Sequence, residues 1–119
     1  NYGYKNQYEA IHKRIIYIDK NGIDIRGEDN IYCPMELFFD LRFYLDSKIK
    51  ALITNNGKNA VLKLPNRAGW KFISSLDKIN LVLNRSLNTN NQPVRNEHIH
   101  LTGKTKKLIT VIKWALKKY

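Results

Sequence analysis

The sequence predicts an all-β protein, an antiparallel β-sandwich of eight or nine short strands. Apolar and polar residues alternate with a period of two along much of the chain, as they do in half-buried strands. Clusters of Asn, Gly and Pro interrupt this alternation every 8–12 residues, roughly the spacing that sandwiches and barrels show. Hydrophobic residues make up 43% of the 119 positions and charged residues 26%, which is typical of a globular chain. We therefore expect residues 1–119 to form a single β domain.

The first hairpin has the clearest local signal. Residues 12–18 are rich in β-branched and aromatic side chains, and they run into Asp19-Lys20-Asn21-Gly22. Asn and Gly tolerate positive φ, so this tetrapeptide predicts a turn. Residues 23–28 then alternate apolar and polar side chains, which predicts the returning strand.

The remaining strands are predicted by the same alternation. Residues 30–37 contain Pro34, which cannot donate to a strand ladder, and this segment is interpreted as a connection. In the following segment Phe39, Leu41, Phe43 and Leu45 are expected to share one face. The other strands are predicted over residues 38–45, 48–54, 60–64, 70–73, 79–83 and 97–102.

Residues 108–116 are compatible with either a strand or a helix. Their first half is rich in β-branched residues, which favours a strand. The basic, Trp-containing second half is also compatible with an amphipathic helix. We predict the strand.

The net charge of +11 points to a polyanionic partner. It results from 21 Lys and Arg against 10 Asp and Glu. Nucleic acid, an acidic polysaccharide or an anionic surface would each be attracted by such a charge. The densest basic cluster lies near the C-terminus, and it comprises Lys104, Lys106, Lys107, Lys113, Lys117 and Lys118. A charge run of this kind also arises simply as a solvated face.

No metal site or cofactor is predicted. His98 and His100 are two residues apart, so they share a sheet face on a regular strand, but the sequence identifies no third ligand. We expect both to be surface imidazoles opposite a core-facing Ile99. Residues 19–24 carry two acidic residues around a turn but lack the glycine position and the distal glutamate of a calcium loop. That segment is predicted to be a hairpin turn.

No catalytic residue is predicted either. Glu28 and Asp29 are adjacent, but neighbours on a strand point to opposite faces, whereas acid–base pairs must converge. Tyr4, Tyr8 and His12 form a Tyr- and His-rich start, and a Tyr–His pair can serve as acid and base in sugar β-elimination. One segment does not define such a site, and packing of these side chains on the strands is the expected role.

Three further side chains are expected to pack rather than react. Cys33 is the only cysteine, so the chain has no internal disulfide, and no basic helix start marks Cys33 as a nucleophile. Trp70 and Trp114 are expected to pack as well, although an exposed tryptophan would be suited to stacking on a sugar ring.

Several stretches, in order, resemble the C-terminal β-domain of heparinase II/III-like proteins, a family of polysaccharide lyases. The first hairpin, through residues 22–29, resembles a D-G-x-D-L-x-G-E-D stretch of the family. Residues 62–72 resemble an L-x-L-P-x-G-x-G-W-x-F stretch. The other matching segments are Gly3-Tyr4 and residues 11–18, 39–45, 49–51, 99–103 and 111–116.

The resemblance implies an antiparallel β-sandwich that follows an α-helical toroid. Members of this family cleave acidic polysaccharides by β-elimination, with a catalytic Tyr and an Asn or His on the helical domain and a further His on early β-strands. Both regions would precede residue 1, and Asn1 together with a lone Met35 indicates a piece of a longer chain. The resemblance therefore implies that the chain is the C-terminal portion of a larger β-sandwich. This portion is expected to be non-catalytic and to support or contact an acidic polysaccharide.

The sequence departs from the family pattern at two histidines. Asn1-Tyr2-Gly3-Tyr4 stands where relatives begin His-Asp-Gly-Tyr, and residues 42–46 place Tyr44 and Asp46 where relatives tend to read Arg-Phe-His-Leu-His. His12 is the matching histidine that remains, and a structural role is expected for it. These losses, with the abundance of Asn, Lys and Ile, leave two alternatives open: an inactive remnant of a lyase gene, or a free-standing basic module that binds nucleic acid.

Two expectations concern the surroundings of the chain. No apolar run is long enough to span a membrane, and the N-terminus lacks the apolar stretch of a signal peptide, which leaves the compartment open. Separating this portion from earlier strands would expose a sheet edge, so self-association through that edge is expected.

Overall fold

Nine β-strands form the fold in a computed structural model, which describes residues 10–76, 78–87, 89–106 and 108–119. All strand pairs are antiparallel, as the alternation predicted. The strands are β1 (Ile11–Ile18), β2 (Asp24–Tyr32), β3 (Phe38–Tyr44), β4 (Lys50–Thr54), β5 (Asn59–Lys63), β6 (Gly69–Ser74), β7 (Asn80–Leu87), β8 (Pro93–Lys104) and β9 (Ile109–Lys118).

The strands form two sheets that pack face to face. The six-stranded sheet has the order β1-β2-β9-β6-β5-β4, and the three-stranded sheet has the order β3-β8-β7. Phe43 of β3 joins them, since its ring centroid lies 5.2 Å from that of Phe72 in β6 and 5.0 Å from that of Trp114 in β9. The predicted β-sandwich is therefore confirmed.

The core lies between the inner faces of the two sheets. Apolar side chains at alternate positions of each strand point into it, as the period of two requires. The most completely buried apolar side chains are Cys33, Ala60, Phe72, Ile79, Ile99, Leu101 and Ile112. The predicted apolar face of β3 is confirmed, because Leu41 is buried and Phe39, Phe43 and Leu45 pack against the core.

The β1–β2 hairpin is closed by the predicted turn. Gly22 has φ +67°, a conformation that costs glycine little. The Asp19 carboxylate accepts hydrogen bonds from the backbone N–H groups of Ile23 and Asp24, at 2.9 and 3.1 Å. The predicted hairpin turn is thus confirmed, and the backbone uses the Asp19 carboxylate.

Three strands, β2, β7 and β8, extend well beyond their predicted bounds. The segment 30–37 is not wholly a connection, because β2 continues to Tyr32 while it pairs with β1 and β9 on its two sides. Likewise β7 and β8 pair with each other as far as Leu87 and Pro93, beyond the predicted strands over residues 79–83 and 97–102. Polar residues there are held by a neighbouring strand, and a pattern based on apolar alternation does not detect that.

The segment after β8 is resolved in favour of a strand. Residues Ile109–Lys118 form β9, which lies between β2 and β6 in the six-stranded sheet. The Trp-containing half stays extended because its backbone pairs with strands on both sides. The strand prediction for this ambiguous region is confirmed.

The connection between β2 and β3 is fastened to the end of β8. The buried Thr105 hydroxyl donates to the Met35 carbonyl at 2.7 Å and accepts from the Leu37 N–H at 2.8 Å. The Thr105 N–H donates to the Leu37 carbonyl as well. These bonds fix where β3 begins and therefore where Phe39 and Phe43 enter the core.

Candidate functional site

The outer face of the six-stranded sheet is strongly basic. Register places seven Lys and Arg and two acidic residues on it, one side of every strand contributing. We call it the basic face, and its charged residues are Lys13, Arg26, Lys50, Lys63, Lys71, Lys113 and Lys117, with Asp24 and Glu28. All seven cations are exposed except the half-buried Lys71. Such an excess of one charge attracts polyanions.

Most of the positive charge on the basic face is not neutralised within the described residues. Arg26 pairs with Asp24 at 3.2 Å, and this hydrogen bond raises the pKa of the exposed guanidinium above its ordinary value. Glu28 accepts a hydrogen bond from the Asn30 amide at 3.1 Å. The remaining lysines of the face enter no ion pair among the described residues, so their charge acts on the solvent side.

A groove of 420 Å³ runs across the β1, β2, β9 and β6 part of the basic face. Arg26 and Lys113 place cations at it, Glu28 places an acceptor, and the Tyr17 ring is 59% exposed. The floor is rigid, because Ser75 and Lys113 exchange hydrogen bonds at 2.8 and 3.0 Å. An exposed aromatic ring beside cations and hydrogen-bond acceptors is suited to an acidic sugar.

Beneath this face lies the buried carboxylate of Asp29, whose hydrogen-bond partners the sequence analysis did not predict. His12 Nε2 lies 2.7 Å from Asp29 Oδ1, and Arg14 Nε donates to the same oxygen at 2.7 Å. Trp114 Nε1 donates to Oδ2 at 2.9 Å. We call these four residues the Asp29 cluster; its members come from β1, β2 and β9.

The electrostatics of Asp29 favour a permanent negative charge. Burial alone would raise the pKa of this carboxyl, but hydrogen bonds from Arg14, His12 and Trp114 outweigh burial and lower it below the ordinary Asp value. The Arg14 guanidinium also lies over the Phe43 ring, 4.6 Å from its centroid. Since Asp29 is fully buried, the arrangement holds strands together rather than presenting a carboxylate to a substrate.

The register explains how the Asp29 cluster forms. Arg14 lies directly opposite Asp29 in the hairpin, and Gly27 lies opposite Trp114 in the neighbouring pair. A Cβ on Gly27 would come within 2.0 Å of the indole, so glycine is what allows the ring to lie flat over β2 towards Asp29. Counting outward from the Asn21-Gly22 turn would have found the Arg14–Asp29 pair, whereas the Trp114 contact depends on a long-range pairing.

Sequence reasoning placed Glu28 and Asp29 on opposite faces, and this prediction is confirmed. Glu28 lies on the basic face, and Asp29 points into the sandwich. His12 has the structural role expected of it, as a partner of Asp29 with 46% of its side chain exposed. Tyr4 and Tyr8 lie outside the described residues.

The predicted histidine pair is placed differently. His98 and His100 share a face of β8, with ring centroids 5.8 Å apart, and Ile99 points into the core as expected. His98, however, is only 3% exposed, so the prediction of two surface imidazoles is wrong for it. Tyr44 of β3 lies directly opposite and packs on its ring at 5.1 Å, which accounts for part of the cover.

The environment of this pair suppresses charge on His98. Burial first, and then the nearby positive charge of Arg42, lower the pKa of His98 below its ordinary value. His100 instead hydrogen-bonds Asp40. Among the described residues no group of three or more His, Cys, Asp or Glu is arranged to hold a metal ion.

The remaining candidates pack as expected. Trp114 is buried and Trp70 is half-buried against the core, so neither tryptophan is a free sugar-stacking platform. Cys33 is 1% exposed, and its N–H donates to the Leu108 carbonyl. Two exposed aromatic side chains lie on the basic face among the described residues: Tyr17, and Tyr119, whose ring covers Gly69.

Comparison with known proteins identifies the class. The family model described as "Heparinase II/III-like, C-terminal" matches residues 1–115. The chain belongs to this family. No curated protein and no solved structure matches the chain significantly.

One further finding concerns membranes. Among the described residues no helix is long and apolar enough to cross a bilayer.

Proposed function

We propose that the chain is the C-terminal β-sandwich portion of a heparinase II/III-like polysaccharide lyase and that its basic face contacts the acidic polysaccharide. Membership of the family supports the class of substrate. The observation that carries the proposal is the excess of seven cations over two acids on one sheet face. β-Elimination itself belongs to an upstream α-helical domain of the same chain, and this portion is non-catalytic.

The chemistry of the basic face fits this role. A polyuronate or sulfated chain carries a regular series of negative charges, and lysines along adjacent strands meet it without demanding one fixed geometry. The groove beside Tyr17 adds a ring for the apolar face of a sugar. Electrostatic attraction of this kind raises the local concentration of the substrate and speeds its capture.

Binding to heparin and to a polyuronate tests the proposal. The double variant K71Q/K117Q removes two charges from the basic face, and K20Q/K104Q removes two charges from other parts of the surface. We expect wild type and K20Q/K104Q to bind with similar, strongly salt-dependent affinity. For K71Q/K117Q the slope of log Kd against log salt should fall by about 2, by analogy with the release of counterions from nucleic acids. Equal losses in both variants would contradict a dedicated face.

Catalytic status is tested separately. We expect the 119-residue chain to release no unsaturated uronate from the same polysaccharides, because the elimination acid and base belong to the upstream domain. Release of that product by the purified chain would contradict the non-catalytic role. An antibody raised against the chain, used on native extract, distinguishes a product several times 14.0 kDa from a fragment-sized remnant.

A nucleic-acid-binding module remains the second candidate, because the basic face attracts any polyanion. Single-strand binding by a sheet relies on several exposed aromatic platforms. Among the described residues of the basic face Tyr17 and Tyr119 are exposed and Tyr32 is half-buried, so the aromatic platforms are few. We therefore expect a polyuronate to displace single-stranded DNA from the chain at physiological salt, and the reverse order of affinity would favour the alternative.

A further inference from the structure

A second, smaller basic feature lies where the basic face meets the end of the sandwich. A cleft of 490 Å³ is lined by Lys48 and Lys50 at the start of β4, by Lys63 at the end of β5, and by Arg67 in the turn that follows. Leu64 and Pro65 complete its lining. We call it the basic cleft. Four cations and no acidic side chain are among these lining residues.

None of the four cations is neutralised by an ion pair within the described chain. The nearest acidic residue along the sequence, Asp46, accepts a hydrogen bond from the Lys48 N–H at 2.9 Å and is thereby held in the turn. The cleft therefore concentrates positive charge that the described chain does not balance.

Two lysines of the basic cleft oppose each other directly. Lys50 of β4 and Lys63 of β5 are register partners on the same sheet face. Side chains at such positions have Cβ atoms about 5 Å apart, and like charges there destabilise the sheet. A bound anion between them would turn this repulsion into two attractions.

The turn residue Arg67 is also in an unfavourable state. Its φ is +67°, in the left-handed region, where the backbone of residues other than glycine and asparagine is strained. The turn is fixed by the Leu64–Ala68 and Arg67–Leu64 backbone bonds, at 3.0 and 2.9 Å. An arginine with a strained backbone thus stands where glycine would be unstrained, and its side chain lines the cleft.

We propose that the basic cleft binds a single anionic group, a carboxylate or a sulfate, of the acidic polysaccharide and anchors the chain at the end of the basic face. The identity of the ligand rests on the proposed function. The planar guanidinium of Arg67 matches a carboxylate or sulfate with two hydrogen bonds, and the lysines add charge from the sides. Two locally unfavourable features, the Lys50–Lys63 pair and the Arg67 backbone, converge on one cleft, and a bound anion would offset the repulsion within the lysine pair.

Titration with small anions tests the cleft without the polysaccharide. Sodium glucuronate, sodium sulfate, sodium phosphate and uncharged glucose are added to the 119-residue chain while backbone amide signals are followed by NMR. We expect saturable shifts at residues 48–50 and 63–67 with glucuronate or sulfate and none with glucose. Tighter binding of phosphate than of either other anion would overturn the assignment to a polysaccharide.

The variant R67G separates binding from folding. It removes the cation and relieves the positive φ, so we expect affinity for glucuronate or sulfate to fall by about tenfold while the unfolding temperature rises. The control N56G changes another residue with positive φ, Asn56 at +56°, which lies outside the cleft lining. It should leave anion affinity unchanged. A second control, K20Q, removes one charge from the first hairpin turn, outside the cleft lining, and should also leave anion affinity unchanged.

A second variant keeps the test decisive. K63E converts the opposed lysines into an attractive pair, and we expect it to fold at least as stably as wild type and to lose the anion shifts. Unchanged affinity in both R67G and K63E would overturn the cleft as a site. If wild type binds polyuronate and R67G binds it equally well, the anchor is wrong and the proposed function stands. If wild type fails to bind polyuronate, the proposed function is wrong, and the small-anion titration decides on the cleft alone.

Discussion

Asp29 shows how one side chain organises the residues around it. Its carboxylate is fully buried and has three hydrogen-bond partners on two neighbouring strands, His12 and Arg14 of β1 and Trp114 of β9. A buried charge is tolerated only when such partners replace water. The cluster therefore links β1, β2 and β9, the three strands on one side of the six-stranded sheet.

Replacing Asp29 by asparagine should weaken the fold markedly. D29N keeps the shape but loses the charge that Arg14 and His12 meet, and we expect the free energy of unfolding to fall by about 2–3 kcal/mol. Urea denaturation followed by tryptophan fluorescence measures this. The control D24N acts on an exposed pair and should change little. Equal effects of the two variants would contradict a structural role for the cluster.

The same carboxylate makes stability depend on acid. Because the folded pKa of Asp29 lies below its unfolded value of about 3.9, the stabilisation is fully present above that pH. It is lost as the pH falls through the lower, folded pKa. We expect the stability difference between wild type and D29N to shrink as the pH falls below the unfolded pKa of Asp29. A constant difference between them from pH 7 to pH 2 would show that Asp29 acts through packing alone.

His98 sets a second, milder acid dependence. Its folded pKa is lowered, so the unfolded chain binds more protons as the pH drops below about 6.5. Stability should therefore decline from pH 7 towards pH 5. We expect H98Q to flatten this decline in denaturation measured at several pH values. H100Q, on the same face of β8, is the matched control and should retain it.

At the scale of elements, the contact of β2 with β9 depends on Gly27. The Trp114 indole occupies the space of the missing side chain. G27A should force the ring to move, break its hydrogen bond to Asp29 and lower stability by about 1–3 kcal/mol. Denaturation and the tryptophan emission spectrum report both effects. In a W114F background the same substitution should be less damaging. Additive losses in G27A/W114F would contradict this contact.

The elements were predicted well where the information is local. The turn at Asn21-Gly22 and the apolar face of β3 follow from neighbouring residues, and both are found. The end of β2 and the length of β8 depend on partners distant in sequence, so alternation alone cut them short.

The candidate site follows the same division. The net charge was evident from the sequence, but its concentration on one face required the register of six strands. The burial of His98 and the tie between Trp114 and Asp29 arise from tertiary contacts, 54 and 85 residues apart in the chain. The first of these separations joins Tyr44 to His98. The sequence carries no local sign of either contact.

At the scale of the whole molecule, β1 is an edge strand of the six-stranded sheet among the described residues, and it is the most exposed strand. Every residue of β1 is exposed, with Ile16 at 52% and Ile18 at 66%. Unpaired N–H and C=O groups at such an edge invite another strand, whereas basic residues 12–14 oppose pairing of two copies. We expect self-association that increases with salt, because salt screens this repulsion.

Light scattering at high concentration measures this association. The variant I16K adds a charge at an exposed position of β1 and should give a monomer at every salt concentration. L52K changes an exposed residue of β4, at the opposite edge of the same sheet, and is the matched control. A monodisperse wild-type monomer in high salt would contradict association through β1.

The two sheets differ in width, and this difference determines on which side further strands could be added to the sandwich. β7 lies near β4, whereas β3 lies towards β1, where Phe43 meets Arg14. Among the described residues, the three-stranded sheet is too narrow to cover all six strands of the other sheet. The inward-pointing Ile16 and Ile18 of β1 therefore stay exposed. Strands added alongside β3 would widen the three-stranded sheet so that it covers those two side chains and buries them. A larger sandwich built on this chain would therefore widen sideways, beyond β3, while its basic face stayed open to solvent.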